Sequence, residues 1–249
     1  MSNTIANSGS LEYPVASLAL SAPSTLEATP TNAPKSGIAT SPKSEPYEHL
    51  VLYDVSWELY QHLLKLCESR RLRHTYSNGT LEIMSPRKRH DRIKGFVARL
   101  VGVAAYELGI AIQPIASTTL DKEELDQGIE PDESYYIQHE ALVRDQDDYD
   151  PSRDPPPDLS IEVEETRTVL SRMATFMKLK IPEIWRVSAD YVKFFQLEES
   201  GYVEISRSRA LPFIESKMLA QLIQKRNLLN QNELITEFLD YLRQQRQSN

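Results

Sequence analysis

"PPPDLSIEVEETRTVLSRM", residues 155–173, decides how the rest of the chain is read. Behind the triple proline, Leu159, Ile161 and Val163 alternate with Ser160 and Glu162, the period of two that marks a strand. Successive side chains in a strand take opposite faces, so Asp158, Ser160, Glu162 and Glu164 share one of them. The residues that follow, 168–180, carry a helical pattern. Further strands are predicted in "EIWRVS" (183–188), "YVKFFQL" (191–197) and "GYVEISRS" (201–208), which read as a meander. Strands interleaved with helices make the chain α/β or α+β rather than a helical bundle.

Three carboxylates on one strand face, those of Asp158, Glu162 and Glu164, repel each other. At ~4 Å and an effective dielectric of about 20, each such pair costs roughly 4 kcal/mol. Protonation or a bound cation resolves a cluster of this kind. A second acid lies upstream in "GIEPDESYYI", where Asp132 follows Pro131 at the mouth of a predicted strand over 132–138. Two neighbouring strands bring Asp132 close to Glu162. Hard carboxylate oxygens suit Mg²⁺ or Mn²⁺, which keep several waters and bind a substrate phosphate. The same spacing also describes the solvated face of an edge strand, and Pro-Asp often just starts a turn. The five histidines include no pair at zinc-ligand spacing, and neither a Gly-rich phosphate loop nor a nucleophile elbow is present.

Composition narrows the classes. The 249 residues carry a net charge of −8, which argues against a protein that coats DNA but leaves room for one local contact patch. The single cysteine, Cys67, allows no internal disulfide and fits a reducing cytoplasm. It falls on the stripe Trp57, Tyr60, Leu64, Cys67, the position of a buried core thiol. No run approaches the ~18 apolar residues of a membrane helix. Residues 1–44 are rich in Ser, Thr, Ala, Pro and Asn and read as a disordered tail, without the basic start and apolar block of a targeting peptide. Residues 45–249 read as a single domain.

Within that domain a helix is predicted over 57–69, capped by Ser56. A hairpin follows in "RLRHTYSNGTLEIM", turning at Asn78-Gly79. A helix over 91–108 closes at Gly109, a strand covers 111–119, and helices over 216–227 and 231–245 end the chain. Trp57, Tyr60, Phe96, Phe176 and Trp185 are expected in the core. The basic run Arg87, Lys88, Arg89, Arg92, Lys94 either meets phosphates at a helix N-terminus, with Arg89 and Arg92 as contacts, or is a solvated helix start.

From about Val55 to Arg207 the chain resembles the bacterial Uma-type restriction endonucleases, a branch of the PD-(D/E)XK nuclease superfamily. The stretches that carry the resemblance are "VSWELYQHLL", "LRHTYSNGTLEIMSP", "HDRIKG", "STTL", "GIEPDESYYI", "PPPDLSIEVE" and "IPEIWRV", in that order. The resemblance implies a restriction-endonuclease-like core of mixed strands flanked by helices, with the hairpin before it and two helices after it. It implies a Mg²⁺- or Mn²⁺-dependent DNA endonuclease with Asp132 as the first-motif acid and Glu162 as the second. Glu164 joins these two as a metal ligand, with Asp158 or Asp91 as an additional acid. DNA is the implied partner, through weak local contacts, and a homodimer is left open. The chain departs from the family twice. Glu164 stands where the plain motif has lysine, and Arg172 stands where relatives supply a lysine from the following helix. Lys178 is too far along that helix to substitute. Arg89 stands where relatives often carry an acid before the histidine. Arg172 is then the third catalytic residue, clamping a phosphate and stabilising transition-state charge, but it cannot act as a base and a metal-bound hydroxide would be the nucleophile; a catalytically degenerate binding or assembly module is the alternative.

Overall fold

The computed structural model of the chain describes residues 49–67, 72–164 and 168–247. The expectation of a disordered tail over 1–44 lies outside them. The hairpin forms as the sequence dictates. Strand β2 (Arg73–Ser77) returns as β3 (Thr80–Met84) through Asn78 and Gly79, at φ 47° and 77°. Both central residues of such a two-residue turn need positive φ. A strand with no sequence signal, β1 (His49–Leu52), pairs with β3. Helix α1 (Trp57–Cys67) then lies over the hairpin, with Tyr60 stacked on Tyr76 at 4.4 Å between ring centroids. Trp57 and Cys67 are half-buried rather than core, because the stripe expected to bury them sits at the margin of this small cluster.

Helix α2 (Lys88–Leu108) starts three residues before the predicted Asp91, after an extended Arg87, and ends at the left-handed Gly109 as expected. The strand predicted over 111–119 is mostly absent. Only β4 (Gln113–Pro114) pairs, since proline offers no N–H and Ala116 turns the chain at φ 49°. The chain next contributes β5 (Leu120–Lys122) and β6 (Gln127–Ile129) to the hairpin, completing a five-stranded antiparallel sheet in the order β1-β3-β2-β6-β5. Both were missed because each is three residues long, too short to show a period.

The second sheet carries the acids singled out in the sequence. Strand β7 (Glu133–Tyr136) is followed by the one-turn helix α3 (Glu140–Val143), then by β8 (Leu159–Val163), helix α4 (Arg172–Lys178), β9 (Glu183–Val187), β10 (Val192–Glu198) and β11 (Gly201–Ile205). The order is β11-β10-β9-β8-β7-β4, with β8 and β9 parallel and the other pairs antiparallel. All five residues of β8 are buried. It is an interior strand, which removes the solvated-edge reading of its acids. Leu159, Ile161 and Val163 face α2, Trp185 and the C-terminal helices α5 (Ser216–Lys225) and α6 (Gln231–Gln247) in the main core. Its other face looks toward α4 and the hairpin sheet. Helix α4 is shorter than the predicted 168–180 for a physical reason. Glu82 of β3, fully buried, accepts the backbone N–H groups of Val169 and Leu170 at 2.8 Å each, which holds those residues outside the helix. Ser171 then caps it.

Because two backbone donors and His49 converge on Glu82, Glu82→Gln places an N–H₂ against N–H donors. The expected cost is about 2 kcal/mol. Denaturant titration checks it, and accelerated amide exchange confined to Val169 and Leu170 assigns the loss to this latch.

Candidate active site

The register between β7 and β8 pairs Glu133 with Ile161, which brings Asp132, one residue earlier, level with Glu162. Both carboxyls are buried, 3% and 7% exposed, on the floor of a cleft of about 210 Å³. Asp132 accepts from Arg73 Nε at 3.1 Å through Oδ1. Its Oδ2 takes the Val163 N–H at 2.7 Å and faces His90 Nε2 at 3.0 Å. Glu162 is gripped from one side only, by Arg172: Nε donates to Oε2 and Nη2 to Oε1, each at 2.7 Å. Arg172 is thus at the cleft, on the first turn of α4, as its position in the sequence implied. It pairs with Glu162, not with Glu164, whose partner is Arg186.

The local field differs from that of the whole chain. Among the described residues, four arginines (Arg73, Arg87, Arg172, Arg186) and three carboxylates (Asp132, Glu162, Glu164) line the cleft, while the chain as a whole carries −8. Burial alone would raise the Asp132 carboxyl, but its His90 partner, the Arg172 charge and the Val163 N–H together hold it below the usual range. Burial lifts Glu162 to about 7, with the negative Asp132 adding to the rise and Arg172 opposing it. Burial alone would lower His90; its bond and ion pair with Asp132 raise it instead. The two acids thus differ sharply in how readily they hold a proton.

The remaining expected residues sit elsewhere. Glu164 lines the cleft but is engaged by Arg186 Nε at 2.5 Å and by the Tyr191 hydroxyl. Asp158 does not reach the cleft. Four residues along a strand is ~13 Å, and its carboxylate accepts the N–H groups of Ile137 and His139, at 2.7 and 3.0 Å, and faces His139 Nδ1 at 2.6 Å. It fixes the turn after β7. Asp91 stands behind His90, 3.5 Å from Nδ1, and is not a cleft residue. Arg92 is exposed and outside it. Arg89 lines an adjoining hollow with Arg87, Glu164 and Asp190. The helix start turns Arg87 toward the cleft in place of its neighbours.

Two cleft residues, Arg73 and His90, were not among the expected site residues. Arg73 and His90 reach Asp132 only because the hairpin and α2 pack beside β7, and Glu130 binds Arg73 Nη1 at 2.7 Å. A charged residue inside the strand "RHTYS" was the one available hint for Arg73.

Carboxylate oxygens suit Mg²⁺ or Mn²⁺ in kind. As arranged, however, both Glu162 oxygens hold arginine N–H groups, and among the described residues no three His, Cys, Asp or Glu side chains converge to hold a metal ion. The cleft as built fits a guanidinium rather than a metal.

The profile of the Uma2 family, described as "Putative restriction endonuclease", matches residues 57–228. Among solved structures, one titled as a "putative nuclease belonging to DUF820" from Anabaena variabilis is 15% identical. It covers 67% of this chain and 90% of its own, with a TM-score of 0.39. No curated protein matches. No helix of the described residues is long and apolar enough to cross a membrane. The family match covers the whole cleft and every strand of both sheets except β1, and the chain belongs to the Uma2 family of restriction-endonuclease-like proteins.

Proposed function

We propose that the chain is a DNA endonuclease that hydrolyses a phosphodiester at the Asp132–Glu162 pair. The observation that carries this reading is the pair itself, two buried carboxylates level on neighbouring strands beneath an arginine-lined cleft. At about 210 Å³ the cleft is below the ~300–1,000 Å³ of sites that enclose a whole small molecule. It suits one phosphate presented by a larger partner, with Arg87 and Arg73 on the anion's side. The cofactor proposed is Mg²⁺ or Mn²⁺, which would lower the pKa of a bound water and would be held by Asp132 and Glu162; because Arg172 occupies Glu162 in the protein as built, no step is assigned to the ion. His90 holds Asp132 in orientation.

A second reading, a nuclease fold kept for binding without cleavage, is favoured by one observation: Arg172 stands where the family's helix-borne lysine is expected and is wholly engaged by protein groups. Supercoiled plasmid incubated with the purified chain and Mg²⁺ or Mn²⁺, with chelator as control, separates the two. The expected result is nicked and linear product that chelator and Asp132→Asn both abolish. Plasmid left intact by wild-type protein, but retained in a gel shift that Arg87→Ala weakens, establishes the second reading.

A further inference from the structure

A guanidinium has five N–H donors, and each of those of Arg172 has an acceptor. Nε and Nη2 take the two oxygens of Glu162 at 2.7 Å. Nη2 also donates to the Glu130 carbonyl at 2.8 Å, and Nη1 donates to Thr75 Oγ1 at 2.7 Å and to the His74 carbonyl at 3.3 Å. The side chain is 11% exposed. No donor is left over for a phosphate, and each oxygen of Glu162 already faces a guanidinium N–H, so a divalent ion would have to sit against a fixed positive charge. Two neighbouring buried acids are relieved by protonation or by positive charge; Arg73 supplies such a charge to Asp132, and Arg172 supplies it to Glu162 from within the fold. We propose that Arg172 is the resident cation of the acid pair: it competes with a divalent ion for Glu162 and keeps the free protein closed to metal. The proposal takes its location from the reading of the pair as the reacting centre, but it does not depend on cleavage.

Arginine and metal compete for one carboxylate, so removing the arginine opens a cation site. Arg172→Met keeps the length of the side chain and discards the charge. In chelator this variant leaves Glu162 without its partner, and a fall in melting temperature of about 10 °C is expected. Adding Mn²⁺ restores most of that fall, because an ion that binds only the folded state stabilises it. Wild-type protein melts at the same temperature with Mn²⁺ as with chelator. Calorimetric titration of Mn²⁺ gives about tenfold or tighter affinity for Arg172→Met than for wild type, and the double variant Arg172→Met/Glu162→Gln loses the gain. Equal Mn²⁺ affinity of wild type and Arg172→Met overturns the proposal, as does a folded Arg172→Met that Mn²⁺ does not stabilise. If Arg172→Met fails to fold, wild type against Glu162→Gln decides. Unchanged Mn²⁺ binding supports the closed site, and a drop on Glu162→Gln overturns it. None of these measurements reads DNA cleavage, so an inactive wild-type protein leaves the test intact, and a metal-binding wild-type protein leaves the endonuclease reading standing.

Discussion

Glu162→Ala is expected to lower the unfolding free energy by about 3–5 kcal/mol, because it strands the buried Arg172 guanidinium with two donors unmet. In a domain of this size that is a fall in melting temperature of about 10 °C or more. The contrast is Glu164→Ala, two residues on and just past the end of the same strand. Its pair with Arg186 is partly exposed, 26% and 33% at the two side chains, and its loss is worth about 1 kcal/mol or less. Denaturant melts of the two variants beside wild type measure the difference. A Glu162→Ala protein that unfolds within a degree or two of wild type shows that the Glu162–Arg172 pair contributes nothing to stability.

The second large effect is on cleavage. Arg172→Lys is expected to nick plasmid on the order of 10²-fold faster than wild type, the scale of one well-placed donor in a reacting site. The ammonium has three donors on a flexible stem, against five in a rigid plane. It cannot hold both Glu162 oxygens and both sheets at once, so the carboxylate is freed and a positive charge stays near the phosphate. Initial rates on supercoiled plasmid at matched protein concentrations decide it. A wild-type protein that cleaves while Arg172→Lys does not makes the guanidinium itself the catalytic group.

Much of the fold is legible in the sequence because its elements announce themselves locally. Asn78-Gly79 can hardly be anything but a tight turn, the stripe from Ile93 to Ala104 sets α2, and Gly109 ends it. The mixed strand-and-helix class and the family resemblance both stand. What the sequence conceals is non-local. Strands β1, β5 and β6 are too short for periodicity to register; the hairpin offers an edge to β1 and to β6, and β6 in turn offers one to β5. The acid pair follows a simple rule, two strands with an acid at matching ends, and Asp132 and Glu162 do meet. Asp158 misleads because alternation gives a side chain's face but not its height along the strand. Arg73 and His90 are invisible for the converse reason, arriving from elements far away in the chain whose packing no spacing encodes.

Arg172 also joins parts of the fold that share no hydrogen-bonded ladder. Its acceptors are Glu162 in the six-stranded sheet, and His74, Thr75 and Glu130 in or beside the five-stranded one. Arg73 repeats the crossing, from β2 to Asp132. Two charged rivets through one seam mean that the two sheets cannot part without stranding the buried Asp132 or Glu162 carboxylate. The domain should therefore melt in a single cooperative step rather than by shedding its hairpin first, and the cleft lies on the very line along which the fold is sewn together.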